Sequence, residues 1–219
     1  MRVNLEARAA AAEQRKAQTR ERLLEAAVAM IGEKGPDACS IEDFVAAAGV
    51  SRGTFYNYFP TAESLLHAVR LKIVASLTAV LDARLPKTMP ACERLATRLH
   101  SYQVTVSRDA AWGWMMLRLD GSRLERTPAL EASLDEMFRA GVAQGHFRNM
   151  DPAAARTLIF GTSRMLQRDV LMGLSDPAHG IEVIALLLTA CGLPHDQAMD
   201  VSRRGAALAQ EIQDAADAS

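Results

Sequence analysis

Between Ser51 and Tyr58 the chain carries two hydroxyls (Ser51, Thr54), a guanidinium (Arg52), an amide (Asn57) and two phenols (Tyr56, Tyr58). No carboxylate, histidine or thiol stands among them, so the cluster is built for hydrogen bonding rather than for catalysis. Amides and hydroxyls can pair with base edges, while a guanidinium, phenols and free backbone N–H groups suit phosphate oxygens. These groups need a rigid mount. At 100° per residue from Ser51, Phe55 and Phe59 fall on one side of a helix, which leaves Gly53, Thr54 and Asn57 on the other. Tyr56 and Tyr58 flank that outer side, and Arg52 sits in the first turn. A helix start of this kind suits entry into a DNA major groove.

The mount is legible upstream. Ser40 is a good N-cap, and Ile41, Phe44, Val45 and Ala48 recur at helical spacing to make one apolar face. Gly49 is the residue a helix end wants, because it adopts a left-handed backbone without a Cβ clash, and Val50 can then tuck inward. Ser51 caps the next helix, and the whole reads as a helix-turn-helix. An earlier helix over Thr19 to Glu33, with Leu24, Ala27, Val28 and Ile31 on one face, is stopped by Gly32 and Gly35-Pro36 and closes a three-helix core. Thr61 caps a fourth helix that runs to Leu85 before Pro86, with an expected apolar stripe of Leu66, Val69, Ile73, Leu77 and Val80. At 1.5 Å per residue this rod is about 37 Å long. No flexible linker is expected between it and the helix-turn-helix.

Gly49-Val50-Ser51-Arg52-Gly53-Thr54-Phe55-Tyr56-Asn57-Tyr58-Phe59 resembles the recognition segment of the tetracycline-repressor (TetR) family of bacterial transcriptional regulators. Thr19 to Ala27 resembles that family's first helix, and Glu63 to Val69 the start of its fourth. The resemblance covers roughly residues 15 to 70, about a quarter of the chain. It implies an all-α protein: a basic flexible arm over 1–18, a helix-turn-helix DNA-binding domain over 19–62, and a larger helical effector-binding and dimerisation domain over 63–219. The implied function is a ligand-responsive repressor that binds an inverted-repeat operator in double-stranded DNA as a homodimer. Thr54 and Asn57 are then the candidates for base edges. Ser40, Ser51, Arg52, Tyr56 and Tyr58 would position the backbone, Gly53 would permit close approach, and Lys16 and Arg20 would meet phosphates. One departure is Ala62, where many members carry a phosphate-contacting Lys.

Composition sets the frame. Of 219 residues 49% are apolar, with only 13 Gly and 8 Pro, which points to a helical globular chain. The net charge of −1 argues against a non-specific architectural DNA binder. Charge is unevenly placed: residues 1–20 carry five cations against two anions, whereas 21–60 carry three against six. The N-terminal stretch must therefore supply much of any phosphate attraction. Cys39, Cys92 and Cys191 fit neither a disulfide framework nor a zinc site, so a reducing cytoplasm is expected. The longest apolar stretch is read as Val183 to Leu193, too short to cross a bilayer, and no membrane partner is expected.

The second half shows helical periods over 91–107, 110–120, 128–145, 152–172, 178–192 and 196–215, with Thr127-Pro128, Asp151-Pro152 and Asp196 as starts. Segments 152–172 and 178–192 are apolar over wide arcs and need two partners. By the family resemblance they form a four-helix dimer interface, with Leu158, Thr162, Met165, Ile184, Leu187, Leu188 and Cys191 as its candidates. Tyr102, Trp112, Trp114, Met115 and Met116 concentrate aromatic and thioether surface, and the resemblance places them around a cavity for a small, largely apolar effector. Arg118 could meet an anionic group there. His67, His100, His146, His179 and His195 show no metal-ligand spacing, and no nucleophile motif is present, so neither an enzyme, a metal nor a cofactor is expected. The alternative is a helical small-molecule-binding or enzymatic protein whose helix-turn-helix no longer binds DNA. The weak charge of residues 1–60 and Ala62 favour it.

Overall fold

The structure, a computed structural model, describes residues 2–34, 38–108, 110–119 and 128–217; within these, the side chains of 2–7, 32, 111, 112, 115, 118, 119, 128, 129, 177 and 178 are not described. The described residues form ten helices and no strand. They are α1 (Arg2–Lys34), α2 (Ile41–Ala48), α3 (Arg52–Tyr58), α4 (Ala62–Arg84), α5 (Ala91–Arg108), α6 (Ala110–Leu119), α7 (Pro128–Ala143), α8 (Pro152–Leu171), α9 (Pro177–Cys191) and α10 (His195–Asp217). The chain divides into two compact units, Met1–Ile73 and Val74–Ser219, and the boundary falls inside α4.

In the first unit, Leu23, Leu24, Ala27 and Ile31 of α1 are buried, as are Phe44 of α2, Phe55 of α3, Phe59 just after it, and Leu65 and Val69 of α4. The expected arm over 1–18 is instead the first half of α1, helical from Arg2. No Gly or Pro interrupts residues 2–31, and Ala, Arg, Glu and Gln dominate, so local propensity carries the helix where residues 8–18 bury nothing. The expected stops at Gly35-Pro36 lie outside the described residues. Thr61 and Ser64 cap α4 reciprocally: Ser64 N–H donates to Thr61 Oγ1 at 3.1 Å and Thr61 N–H to Ser64 Oγ at 3.2 Å.

The buried face of α4 differs from the expected stripe. Leu65, Ala68, Val69, Val74, Leu81 and Leu85 are buried, Leu66, Ile73 and Leu77 are half-buried, and Val80 is 41% exposed. Apolar residues cover so wide an arc of this helix that their spacing does not fix its rotation. For the same reason α4, rather than 183–193, is the longest apolar segment; by length and composition it could cross a membrane, with a mean hydropathy of 1.5. Only 28% of that apolar window is buried, and Leu65, Val69, Leu81 and Leu85 on it pack against protein.

The second unit is built around α5, which is buried over most of its length although it carries Arg94, Arg98, His100 and Gln103. Leu95 and Leu99 join Met137, Phe147, Ile184, Leu188 and Val201 in one core. Arg98 is 8% exposed and donates to Asp82 of α4 at 2.5 Å. The last helix lies against α5 at Gly205, where a Cβ would stand 2.9 Å from Ala96 Cβ and 3.0 Å from the Thr97 nitrogen. Asp196, expected to cap this helix, lies inside its first turn, since the helix begins at His195 after Pro194. Gly192 ends α9 at φ 130, and a Cβ there would stand 2.7 Å from the Arg148 nitrogen. That close approach lets Arg148 N–H donate to Cys191 O at 2.8 Å.

A buried relay ties α5 to the C-terminal helices. Ser202 Oγ donates to Ile181 O at 2.8 Å, so the 3.0 Å contact with His100 Nε2 has the imidazole as donor. Burial holds His100 well below its ordinary value of 6.5, at about 4.

Two outcomes follow from this packing. In urea unfolding, Gly205→Ala should lose about 1–3 kcal/mol by forcing α10 off α5, whereas Gly53→Ala, whose Cβ would meet nothing nearer than Ser51 Oγ at 3.8 Å, should lose none. Because the unfolded chain protonates His100 near 6.5 and the folded one only near 4, its contribution to stability is complete above the first value and declines as pH falls toward the second. His100→Gln should flatten the pH dependence of the urea midpoint across that window.

Candidate functional site

The turn between α2 and α3 is fixed by the cap of α2, by backbone bonds at the end of that helix and by a clamp from α1. Ser40 Oγ accepts from Asp43 N–H at 3.2 Å while Asp43 Oδ2 accepts from Ser40 N–H at 2.8 Å, a complete capping box. At the other end Gly49 adopts φ 60; its N–H donates to Ala46 O, and Val50 N–H donates to Val45 O. These are the two hydrogen bonds of a Schellman turn. Arg22 of α1 adds a clamp, donating from Nη2 to Ala48 O at 2.6 Å and Gly49 O at 3.3 Å. A cation thus meets the negative end of α2 and satisfies carbonyls that the helix leaves open. Lys34 pairs with Asp43 at 2.8 Å, and this pair with the Ser40 bonds holds the Asp43 carboxyl well below the usual carboxylate range.

That turn sets the presentation of α3. Phe55 is fully buried and Phe59 is 3% exposed, so Arg52, Gly53, Tyr56 and Asn57 face solvent, with Thr54 and Tyr58 half-buried. Thr54 is not loose: its hydroxyl lies 2.8 Å from Ser51 Oγ, which also accepts from Thr54 N–H at 3.0 Å. Arg52 is held in three ways. It pairs with Glu42 at 2.6 Å, donates to Tyr56 Oη at 3.3 Å and lies 5.7 Å from the Tyr56 ring centroid. A Cβ on Gly53 would meet only Ser51 Oγ, at 3.8 Å, so nothing within the chain requires glycine there. Lys16 and Arg20 are exposed on α1, and the Arg20 guanidinium lies 5.4 Å from the Phe59 ring centroid. Ala62 is half-buried at the first position of α4.

The candidate residues of this region are all exposed or half-buried, with two changes of role. Ser40 and Ser51 are helix caps first; the Ser40 hydroxyl also donates to Asp43 Oδ2 at 2.6 Å. Arg22 and Glu42 escaped the sequence reading. Arg22 lies 26 residues from its acceptor at Ala48, and Glu42 is ten from Arg52, so neither pair follows a helical i, i+4 rule.

The expected effector cluster divides. Met116 is buried and Tyr102 half-buried, but Trp114 is 38% exposed and faces away from the interior. Adjacent positions on α6 cannot all point inward. The side chains of Trp112, Met115 and Arg118 lie outside the described residues. Three polar residues that periodicity does not mark face the α5–α6–α8 interior instead. Gln103 donates to Ser163 O at 3.3 Å and leaves its Oε1 buried without a partner, Arg164 donates to Leu117 O at 3.2 Å, and Gln167 is 3% exposed.

The expected dimer set also divides. Ile184, Leu187, Leu188 and Cys191 are 0–3% exposed inside the second unit and so cannot meet a partner. Burial raises the Cys191 thiol to about 11. The outward face of α9 is instead marked by Glu182 and Leu186, the latter 53% exposed, with Ala190 half-buried. On α8, Met165 is 53% exposed, Gly161 is exposed, and Leu158 and Thr162 are half-buried.

The sequence profile of the bacterial regulatory proteins of the tetR family matches residues 23–69. An uncharacterized HTH-type transcriptional regulator, YvdT of Bacillus subtilis (strain 168), is 44% identical over 62 residues, a match that spans 28% of this chain and 30% of that protein. Among solved structures, RolR in complex with resorcinol is 27% identical with a TM-score of 0.68, covering 87% of this chain and 95% of RolR. FadR from Bacillus subtilis in complex with stearoyl-CoA shares the fold at 22% identity and a TM-score of 0.60, covering 77% and 97%. The matched profile lies on α1 to α4, so the resemblance to the tetR family of bacterial regulatory proteins holds over the helix-turn-helix region, and the likeness to RolR extends through the C-terminal helices.

Proposed function

We propose that the chain is a sequence-specific DNA-binding regulator, a ligand-responsive cytoplasmic repressor that reads an inverted repeat as a homodimer. The observation that carries this reading is the outer face of α3, where Thr54 and Asn57 stand beside an unobstructed Gly53. Gly53 costs helix stability of about 0.5–1 kcal/mol relative to Ala and relieves no crowding inside the chain. A close external surface accounts for it, and a groove edge is such a surface. Arg52, stacked on Tyr56 and tied to Glu42, is pre-ordered to meet a phosphate, and Lys16 and Arg20 extend the positive face along α1. Tyr58 and the N–H groups that Ser40 and Ser51 leave open at the helix starts complete the backbone contacts.

The homodimer reading rests on the outward faces of α8 and α9. Met165, Met172, Leu174 and Leu186 make up half of the eight exposed large apolar residues among the described side chains, and all four lie on these helices or the turn joining them. Gly161 adds a second sign, since a mid-helix glycine with open space around it suits close approach by another helix. Leu158 and Thr162 continue that face.

The effector is a small, largely apolar molecule carrying a hydrogen-bond donor, held among α5, α6 and α8. The unpaired Gln103 Oε1 is an acceptor waiting for such a group, and Met116 and Tyr102 supply apolar wall nearby in sequence. Resorcinol, the ligand of the RolR complex, has this chemistry. Because α4 begins in the first unit and ends in the second, an effector that favours one setting of that helix would change DNA affinity by its differential affinity for the two states.

Fluorescence anisotropy against DNA flanking the chain's own gene, with a shuffled control, tests the reading. Tight binding confined to the native flank supports it, and equal binding to both would remove sequence specificity. Asn57→Ala should cost about 1–3 kcal/mol on the specific site and little on random DNA. In sedimentation, Met165→Glu with Leu186→Glu should yield monomer where the parent is dimer, because an unpaired charge on each side would be desolvated.

A further inference from the structure

A cleft of about 460 Å3 opens between the C-terminal half of α7, the α7–α8 connection and the start of α8, apart from the α5–α6–α8 region discussed above. Its volume falls within the range of about 300–1,000 Å3 usual for small-molecule sites. Phe138, Val142, Met150, Pro152 and Ala155 make most of its wall apolar. Two guanidiniums, Arg139 and Arg156, share the rim with a single acidic group, Asp135, and the amide of Asn149.

The polar groups are unequally satisfied. Arg156 donates from Nη1 to Asp135 Oδ1 at 2.6 Å, yet its Nε is buried without an acceptor. Arg139 donates from Nε to the Asp135 carbonyl at 3.3 Å, which leaves the guanidinium terminus directed by its own backbone rather than by a carboxylate. Among the lining residues, one carboxylate against two guanidiniums leaves a positive balance. An apolar wall with a cationic rim selects a ligand with a hydrocarbon body and one anionic oxygen group. We propose that this cleft binds an apolar monocarboxylate, its carboxylate accepting from the Arg156 and Arg139 guanidiniums, and its body lying against Phe138, Val142 and Met150. Such a site lies outside the effector region proposed above, and its occupancy does not depend on that reading.

Isothermal titration of the full chain, without DNA, with octanoate and with octan-1-ol decides the matter. Octanoate should bind, and octan-1-ol, of the same length without the charge, should bind at least about tenfold more weakly. Val142→Trp, which fills the cleft from a residue 38% exposed, and Arg156→Lys, which keeps the charge opposite Asp135 but removes the guanidinium, should each weaken octanoate by about tenfold or more. Thermal melts matching the parent protein show that each variant is folded; if one is not, the other carries the test. The proposal fails if octanoate does not bind up to about 10 mM, if octan-1-ol binds as well, or if folded Val142→Trp binds octanoate like the parent, which would place the ligand elsewhere.

Discussion

The positive φ of Gly49 is the constraint on which the DNA-facing unit depends. It reverses the chain within one residue, so that α3 leaves α2 with Phe55 and Phe59 turned into the core and Gly53 and Asn57 turned out. Any residue with a Cβ would be strained there, and it would also stand 3.3 Å from the Arg22 guanidinium that clamps the turn. The same group that closes α2 therefore joins α1 to the turn. A reading helix of only seven residues has little stability of its own. Its direction is set by this turn, the Ser51 cap and two buried phenylalanines.

Electrostatics then separates affinity from specificity. Residues 21–60 carry more acidic than basic groups, and several of the bases are engaged: Lys34 by Asp43, Arg22 by the end of α2, Arg52 by Glu42. Phosphate attraction then falls to the basic face of α1, which extends as helix back to Arg2. Pairing Arg52 with an exposed carboxylate contributes little stability, because both partners are 63% exposed. Its effect is geometric, holding a planar group against Tyr56 in the first turn. A protein arranged this way gains less from general polyanion attraction and more from fit to a particular surface.

Much of the first unit was legible because its signals are local. Caps at Ser40, Ser51 and Thr61, the Gly49 turn and the Phe55–Phe59 pair each act within four residues, and the structure reproduces them. What escaped is either non-local or a matter of helix rotation. Arg22 reaches 26 residues ahead, and nothing in its own helix marks it. Residues 1–18 read as a flexible arm because their sequence marks no apolar face, yet an uninterrupted run of strong helix formers needs none to continue a helix that packing nucleates further on. Along α4 Leu65 rather than Leu66, and Leu81 rather than Val80, face inward, because a helix apolar on more than half its circumference has no unique wheel position.

The α8–α9 pair shows why such ambiguity bears on function. Burial in a monomer and burial against a second copy impose the same residue types, so Ile184 and Leu186 look equivalent in a string of aliphatics. Packing separates them: Ile184, Ala185, Leu187, Leu188 and Cys191 complete the core with Leu95, Met137 and Val201, and Leu186 is left outward. Leu186 remains on the surface next to Glu182, and Gly161 on α8 widens the space rather than filling it. An apolar side chain that the monomer cannot use, beside a glycine that the monomer does not need, is better explained by a surface that is covered than by one that is solvated. The core and the proposed interface are then two faces of the same helices, about half a turn apart, and only the fold decides which residues belong to each.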